Sequence, residues 1–229
     1  MIWPWEQKMM IDIHTHTLSH DPELIEVQVM DSSLPAGLAF PSSRRFCYGL
    51  HPWHVEEIEY KDFLDRLKSF VQMPGFFALG EIGLDRARKE TWEKQLEVFE
   101  HQMEFAARFK IQRVVIHCVK AYSDIIPFLK KARPSTKFLF HDFNGNAQTY
   151  KQLREAADCY FSFGARLFTT ESTAVKNLNL FDKDRIFFET DDQPDKTIKD
   201  IYARCAEILE TPQSDLEAQL TRNFEGFCV

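Results

Sequence analysis

Apolar residues of this chain come in short runs, most ending in a polar residue or a glycine: residues 9–14, 25–30, 46–50, 76–80, 113–117, 137–141, 160–164 and 185–189. Runs that stay apolar without alternating fit strands covered on both faces, as in a parallel sheet. Between the fourth and fifth runs, Trp92, Leu96, Phe99, Met103 and Ala106 recur at steps of four and three, one face of a helix. Ile58, Leu64, Leu67 and Val71 do the same before the fourth run, and residues 121–132, 146–158 and 196–210 predict further helices, with 169–180 a less regular one. Strands alternating with helices indicate βα units. Eight of them predict an α/β fold, a (β/α)8 TIM-like barrel with its reactive groups at the strand C-termini. Residues 17–24 and 31–45 are too short, or too rich in Pro and Ser, for covering helices. The barrel is therefore expected to be trimmed at its first two βα units, with a flank that a second subunit could cover. No repeat or linker breaks the pattern, so residues 1–229 read as a single barrel domain.

Composition narrows the partners. The 21 Phe residues predict a bulky aromatic core or a ring-lined cleft, and a net charge of −7 disfavours coating a duplex or an anionic membrane. A local pocket for one or two phosphates remains compatible with it. Cys47, Cys118, Cys159, Cys205 and Cys228 are scattered and form no CxxC pair, which reads as reduced thiols in a cytoplasmic protein. No apolar run has the length of a membrane span, and the first ten residues lack the layout of a secretion leader.

The placement of histidines carries the chemistry. His14, His16, His51, His54, His117 and His141 all fall at or just beyond the end of a predicted strand, and those ends converge on one barrel mouth. His14 and His16, two apart on an extended chain, share a face and can grip one cation. Glu81 after the fourth run and Asp191 after the eighth add hard oxygen donors at the same mouth. Cys118 neighbours His117 but points to the opposite side of its strand, which disfavours thiol catalysis.

The motifs DIHTH (12–16), GLHPW (49–53), GEIGLD (80–85), IHC (116–118), HDFNG (141–145), ETD (189–191) and NFEGF (223–227) occur in an order that resembles the TatD-type metal-dependent hydrolases, a branch of the amidohydrolase-like barrels. Gln95, Phe99 and Gln102 fit the same family's spacing. The resemblance implies a binuclear centre of two divalent ions (Zn, Mg or Mn) bound by His14, His16, Glu81, His117, His141 and Asp191, with Glu81 bridging. It implies phosphodiester hydrolysis by a deoxyribonuclease or 3′-exonuclease, with DNA, at single-stranded ends, as substrate. Asp191 would serve as ligand and proton acceptor, and Glu81 would hold the ion spacing.

The departures fall on substrate-contacting parts. The gap between His16 and His51 is short, Cys118-Val119-Lys120 replaces the family's usual Ser-Arg-Asp, Trp53 stands where GLHPH has a second His, and DQPDKTIKD follows Asp191 in place of the usual tail motif. His51 and His54 are candidates to orient phosphate or protonate a leaving group, or simply pack beside Pro52. Asp85 can orient a ligand histidine or a substrate group. Arg86 can fork onto phosphate or, with Arg88 and Lys89, form a solvated charge run; Lys120 can bind phosphate or lie on the surface. Trp53 and Phe168 are candidates to stack on a base or to form a hydrophobic rim. The lost substrate motifs keep open hydrolysis of an ester or amide, such as deacylation of a D-aminoacyl-tRNA, and a metal-stabilised scaffold without activity.

Overall fold

The computed structural model describes residues 9–35, 41, 43–193 and 195–229. The expectation of no leader at the N-terminus falls on residues 1–8, and part of the Pro- and Ser-rich stretch falls on residues 36–40 and 42; both lie outside the described residues. Eight strands form one sheet in chain order: β1 (Met10–Thr15), β2 (Leu24–Met30), β3 (Arg45–Tyr48), β4 (Phe76–Asp85), β5 (Arg113–Val119), β6 (Lys137–Phe140), β7 (Asp158–Phe163) and β8 (Ile186–Phe188). Every neighbouring pair is parallel. A parallel bridge between Thr15 and Asp191 joins the last strand back to the first, so the sheet curls into the expected barrel.

Seven α-helices accompany the strands: α1 (Tyr60–Val71), α2 (Trp92–Phe109), α3 (Tyr122–Lys131), α4 (Ala147–Ala156), α5 (Thr173–Asn177), α6 (Ile198–Ile208) and α7 (Gln213–Cys228). Among the described residues none joins β1 to β2 or β2 to β3, which is the trimming read from the sequence. The helix expected over 146–158 stops at Ala156, because Asp158 already pairs with Lys137 as the first residue of β7. The expected helix over 169–180 shrinks to the short α5 followed by a 3-10 turn. Helix α7 was not anticipated. Its signal is Leu216, Leu220, Phe224 and Phe227, all buried at helical spacing.

The phenylalanines are core. Phe46, Phe63, Phe70, Phe99, Phe138, Phe140, Phe161, Phe163 and Phe187 are fully buried. Ring pairs seat helices on strands: Tyr48 of β3 stacks on Phe70 of α1 at 4.0 Å, and Phe77 of β4 on Phe224 of α7 at 5.6 Å. No helix among the described residues is long and apolar enough to cross a membrane.

The seam between β1 and β8 is polar as well as buried. Asp12, 2% exposed, accepts from the Thr190 N–H at 3.1 Å and from Thr190 Oγ1 at 2.6 Å. Thr190→Val would leave this carboxylate one partner short, so we expect a loss of about 1–3 kcal/mol in urea denaturation with an unchanged m-value. Unaltered stability would show that the seam holds without this bond.

Candidate metal centre

The register of the sheet aims the chemistry. Between Asp12 and Thr15, β1 runs one residue longer than its partner β2, and between Leu79 and Ile82 β4 runs one longer than β5. Such bulges re-aim a side chain. The first carries His14 and the second carries Glu81. Glu81 therefore lies inside β4 rather than after it, a correction to the sequence reading. The apolar run breaks at Gly80 and Gly83, and these glycines looked like a strand end. They are needed inside the strand: a Cβ on Gly83 would meet the His117 carbonyl oxygen at 1.8 Å.

Helix α2 fastens the two loops beside the cluster. Gln102 accepts the Leu50 N–H at 2.8 Å and donates to the Leu50 carbonyl at 3.0 Å. Gln95, two helical turns earlier, does the same to Asp85 at 2.8 and 3.2 Å. Each glutamine replaces a ladder partner that the strand end lacks.

Six expected residues meet around Glu81. Its Oε2 lies 3.4 Å from His14 Nε2 and 3.8 Å from His16 Nε2, and Asp191 Oδ1 lies 3.5 and 3.4 Å from the same two nitrogens. Bonds of about 2.0–2.1 Å to one tetrahedral ion would set its ligands about 3.3–3.4 Å apart, so this spacing suits a cation. On the other side, Glu81 Oε1 lies 2.8 Å from His117 Nδ1, 2.7 Å from His141 Nε2 and 3.2 Å from His51 Nε2. One carboxylate thus faces two groups of imidazoles, one with each oxygen.

Buried atoms without partners support the fit. His14 is fully buried and neither ring nitrogen makes a hydrogen bond; His117 Nε2 and His141 Nδ1 are also unsatisfied. A buried imidazole nitrogen aimed at two carboxylates without a hydrogen bond of its own is a metal-ligand arrangement. Charge reinforces it. Burial and the neighbouring His141 work to lower the His14 pKa, yet the facing carboxylates of Asp191 and Glu81 push it up to about 9. Burial likewise opposes protonation of His141, and the Glu81 charge raises it well above the usual imidazole value. Burial acts to raise Glu81 and Asp191, but the surrounding histidines hold both well below the carboxylate range. The cluster holds positive charge strongly, as protons or as metal.

His51 plays a different part from the other rings. Its Nδ1 accepts the Trp53 N–H at 3.2 Å, and burial lowers its pKa, so the neutral ring carries its proton on Nε2 and donates to Glu81. Asp85 faces His117 Nε2 at 3.9 Å and accepts the Trp53 indole N–H at 2.8 Å, so it supports a ring of the cluster from behind. His54 does not enter the cluster: its ring pairs with Glu57 at 2.7 Å on the cavity rim. Arg86 and Lys120 are not among the described residues lining the cavity over the cluster. The Arg86 fork closes on Asp124 at 2.8 and 2.5 Å and covers Trp92, while Lys120 is exposed beyond β5. Cys118 packs against the core and burial raises its thiol pKa, as the strand argument expects.

Two residues escaped the sequence reading. Glu189, fully buried, accepts the Asp142 N–H at 2.7 Å with Oε1 and sets that oxygen 3.6 Å from His141 Nδ1. A carboxylate closing the apolar run RIFFE was a usable signal. Arg44 hydrogen-bonds Gln28 and lines the cavity from a stretch with no regular pattern to flag it.

Two measurements probe these contacts. A cation must expel the protons that His14 and His141 hold, so metal affinity should weaken as pH falls below about 9. Calorimetry in buffers of different ionisation heat would register the released protons; an affinity indifferent to pH would contradict the charge reading. Glu189→Gln keeps the shape and removes the charge behind His141, and should weaken metal binding about 10–100-fold at unchanged far-UV circular dichroism.

The profile of the family described as TatD related DNase matches residues 25–228, a span that leaves His14 and His16 to be judged on geometry. An uncharacterized metal-dependent hydrolase of Haemophilus influenzae is 28% identical over 213 residues, 82% of this chain and 78% of the other. The human 3′-5′ RNA nuclease TATDN2 is 31% identical over 156 residues, which make up 63% of this chain but 19% of that protein. Among solved structures, the TatD homolog YJJV of Escherichia coli superposes with a TM-score of 0.79 at 18% identity, over 96% of this chain and 97% of its own. A hydrolase TatD family protein of Entamoeba histolytica gives 0.73 at 14% identity, over 96% and 98%. These two likenesses speak for the fold. With a matched span running from β2 to the end of α7, this chain belongs to the TatD-related DNase family of metal-dependent hydrolases.

Proposed function

We propose that this chain, as one hydrolase unit over residues 1–229, is a binuclear metal-dependent nuclease that cleaves phosphodiester bonds at the 3′ ends of single nucleic-acid strands, DNA foremost. The observation that carries the reading is the position of Glu81, with one oxygen toward His14 and His16 and the other toward His117 and His141. The name of the human relative, a 3′-5′ RNA nuclease, supports the polarity and makes RNA ends the second substrate to test.

His14, His16 and Asp191 would hold one divalent ion, His117 and His141 the other, with Glu81 between them. Bound there, such ions supply Lewis acidity toward a phosphoryl oxygen and lower the pKa of an attacking water. The chain's own groups do the rest. Asp191 stays ionised, and its Oδ2, turned away from His14 and His16, accepts the proton of the attacking water. His51 donates to Glu81 from Nε2 and keeps that carboxylate oriented.

The cavity over the cluster, about 750 Å³, has a size that admits a strand end rather than a duplex groove. Among its described lining residues stand Asp31, Glu81, Asp191 and Asp192 against a lone arginine, Arg44. Such a wall repels a polyanion until cations neutralise it, so substrate binding as well as chemistry depends on metal. Arg44 takes the clamping role that Arg86 and Lys120 offered in the sequence.

The test is digestion of 5′-labelled single-stranded DNA and RNA in Mg²⁺, Mn²⁺ or Zn²⁺. A ladder shortening from the 3′ end, abolished by EDTA, is expected. Asp191→Asn should lower kcat about 10²–10⁴-fold. Intact oligonucleotides alongside hydrolysis of an acyl ester such as D-aminoacyl-tRNA would overturn the reading.

A further inference from the structure

Trp53 is exposed at 45% on the cavity wall, and it is nevertheless held on several sides. Its indole N–H donates to Asp85 Oδ2 at 2.8 Å. Its ring meets His51 edge-on at 5.1 Å and His117 at 5.9 Å. The Arg88 guanidinium covers the ring at 4.7 Å from its centroid. The turn Pro52–His54 that carries it is fixed in turn by Gln102, through Leu50. Phe168, the other exposed ring at a strand end, lies under Lys196 and is not among the described residues lining this cavity.

A large apolar surface left in water, immobilised, and placed on a binding cavity is a preorganised contact for a flat ligand. We propose that Trp53 is the stacking platform for the nucleobase adjoining the scissile phosphate, with Arg88 backing the ring; this rests on the nuclease reading above and deepens it. The ring touches His117, whose Nδ1 is 2.8 Å from Glu81, so a base lying on Trp53 brings its own phosphate to the cluster. One face of the indole is covered by Arg88, and the exposed part of the ring is what a base would meet. The Arg88 charge, held on the Trp53 ring beside a wall rich in acids, would complement a neighbouring phosphate. Every base has a π-face, so this platform prefers no sequence but requires a base. It selects single strands, because a base can reach the ring only when unpaired.

The experiment compares kcat/KM on single-stranded oligonucleotides ending in an intact nucleotide or in an abasic tetrahydrofuran sugar. The native enzyme is expected to favour the intact end by about tenfold or more. Trp53→Ala should bring that ratio near one, and Trp53→Phe, which keeps a ring but loses the bond to Asp85, should restore most of it. A ratio untouched by Trp53→Ala overturns the platform while leaving the nuclease standing. Equal loss on both ends, no better in Trp53→Phe than in Trp53→Ala, also overturns it, because Trp53 would then only be holding Asp85 and His117. Binding is read separately by fluorescence anisotropy on metal-loaded protein, using a labelled oligonucleotide with phosphorothioate ends. Trp53-dependent binding without cleavage of ordinary ends sinks the nuclease reading alone. An oligonucleotide neither bound nor cut overturns both.

Discussion

Two backbone hydrogen bonds decide whether this molecule has a centre at all. The Asp191 N–H donates to the His14 carbonyl at 2.9 Å, and the His16 N–H donates to the Asp191 carbonyl at 3.0 Å. They join the ends of the first and last strands, which are 175 residues or more apart in the chain, and they close the barrel at its mouth. The three residues they join are the ones whose side chains crowd one side of Glu81. Closure and site assembly are therefore one event, and the bond pair leaves little freedom in how Asp191 approaches the two imidazoles. Asp191 meets this demand with a left-handed φ of 53°, a conformation aspartate tolerates better than most residues.

A cluster this polar is expensive to bury without compensation. Glu81, His14, His117 and His141 are each exposed by less than a tenth, and Asp12 and Glu189 lie beneath them. Burial penalises the charges of this group, yet Glu81 and Asp191 stay ionised because the imidazoles stabilise them. Asp12 is the exception: burial outweighs its bonds from Thr190 and pushes its pKa up to about 7. The asymmetry has a structural cause. Asp12 faces hydroxyl and amide donors, whereas Glu81 faces nitrogens that can carry full positive charge. A divalent cation supplies that charge more compactly than protons spread over several rings, so metal and fold stabilise each other.

Legibility followed rigidity. Most of the strands were readable because they are buried on both faces and so leave a nearly continuous apolar run, whereas β2 alternates, with Glu26 and Gln28 half-buried. Five of the six cluster residues were readable as polar residues at the ends of such runs. Glu81 was placed one element too late, since a glycine needed for close strand packing looks the same in sequence as a glycine that ends a strand. Helix α7 carries regular apolar spacing at Leu216, Leu220, Phe224 and Phe227, but its last turns coincide with the NFEGF motif, where the same residues read equally as motif positions. The side chains of Arg86 and His54 went elsewhere for a reason no spacing reveals: Asp124 and Glu57, remote or exposed, offered them partners at closer range than a phosphate could. Long charged side chains on loops choose among many partners, and the winner is a tertiary fact.

The same division explains why the hydrolytic chemistry is easier to assign than the substrate. The residues around Glu81 stand on strands or within three residues of a strand end, where neighbouring backbone bonds restrict them. The cavity wall is built largely from the connections, and the front connections lack their helices. Residues 28–32 and 34 of β2 and its following loop, together with Arg44, line the cavity on the side where a covering helix would otherwise pack. Helix α2, through Gln95 and Gln102, keeps one flank of the centre rigid, and Trp53 stands on that side while Arg44 stands on the side of the front connections. A strand end that enters between them would be gripped by a fixed aromatic face first and adjusted by a longer, more adaptable cation second, which is an order of contacts suited to successive ends of varied sequence.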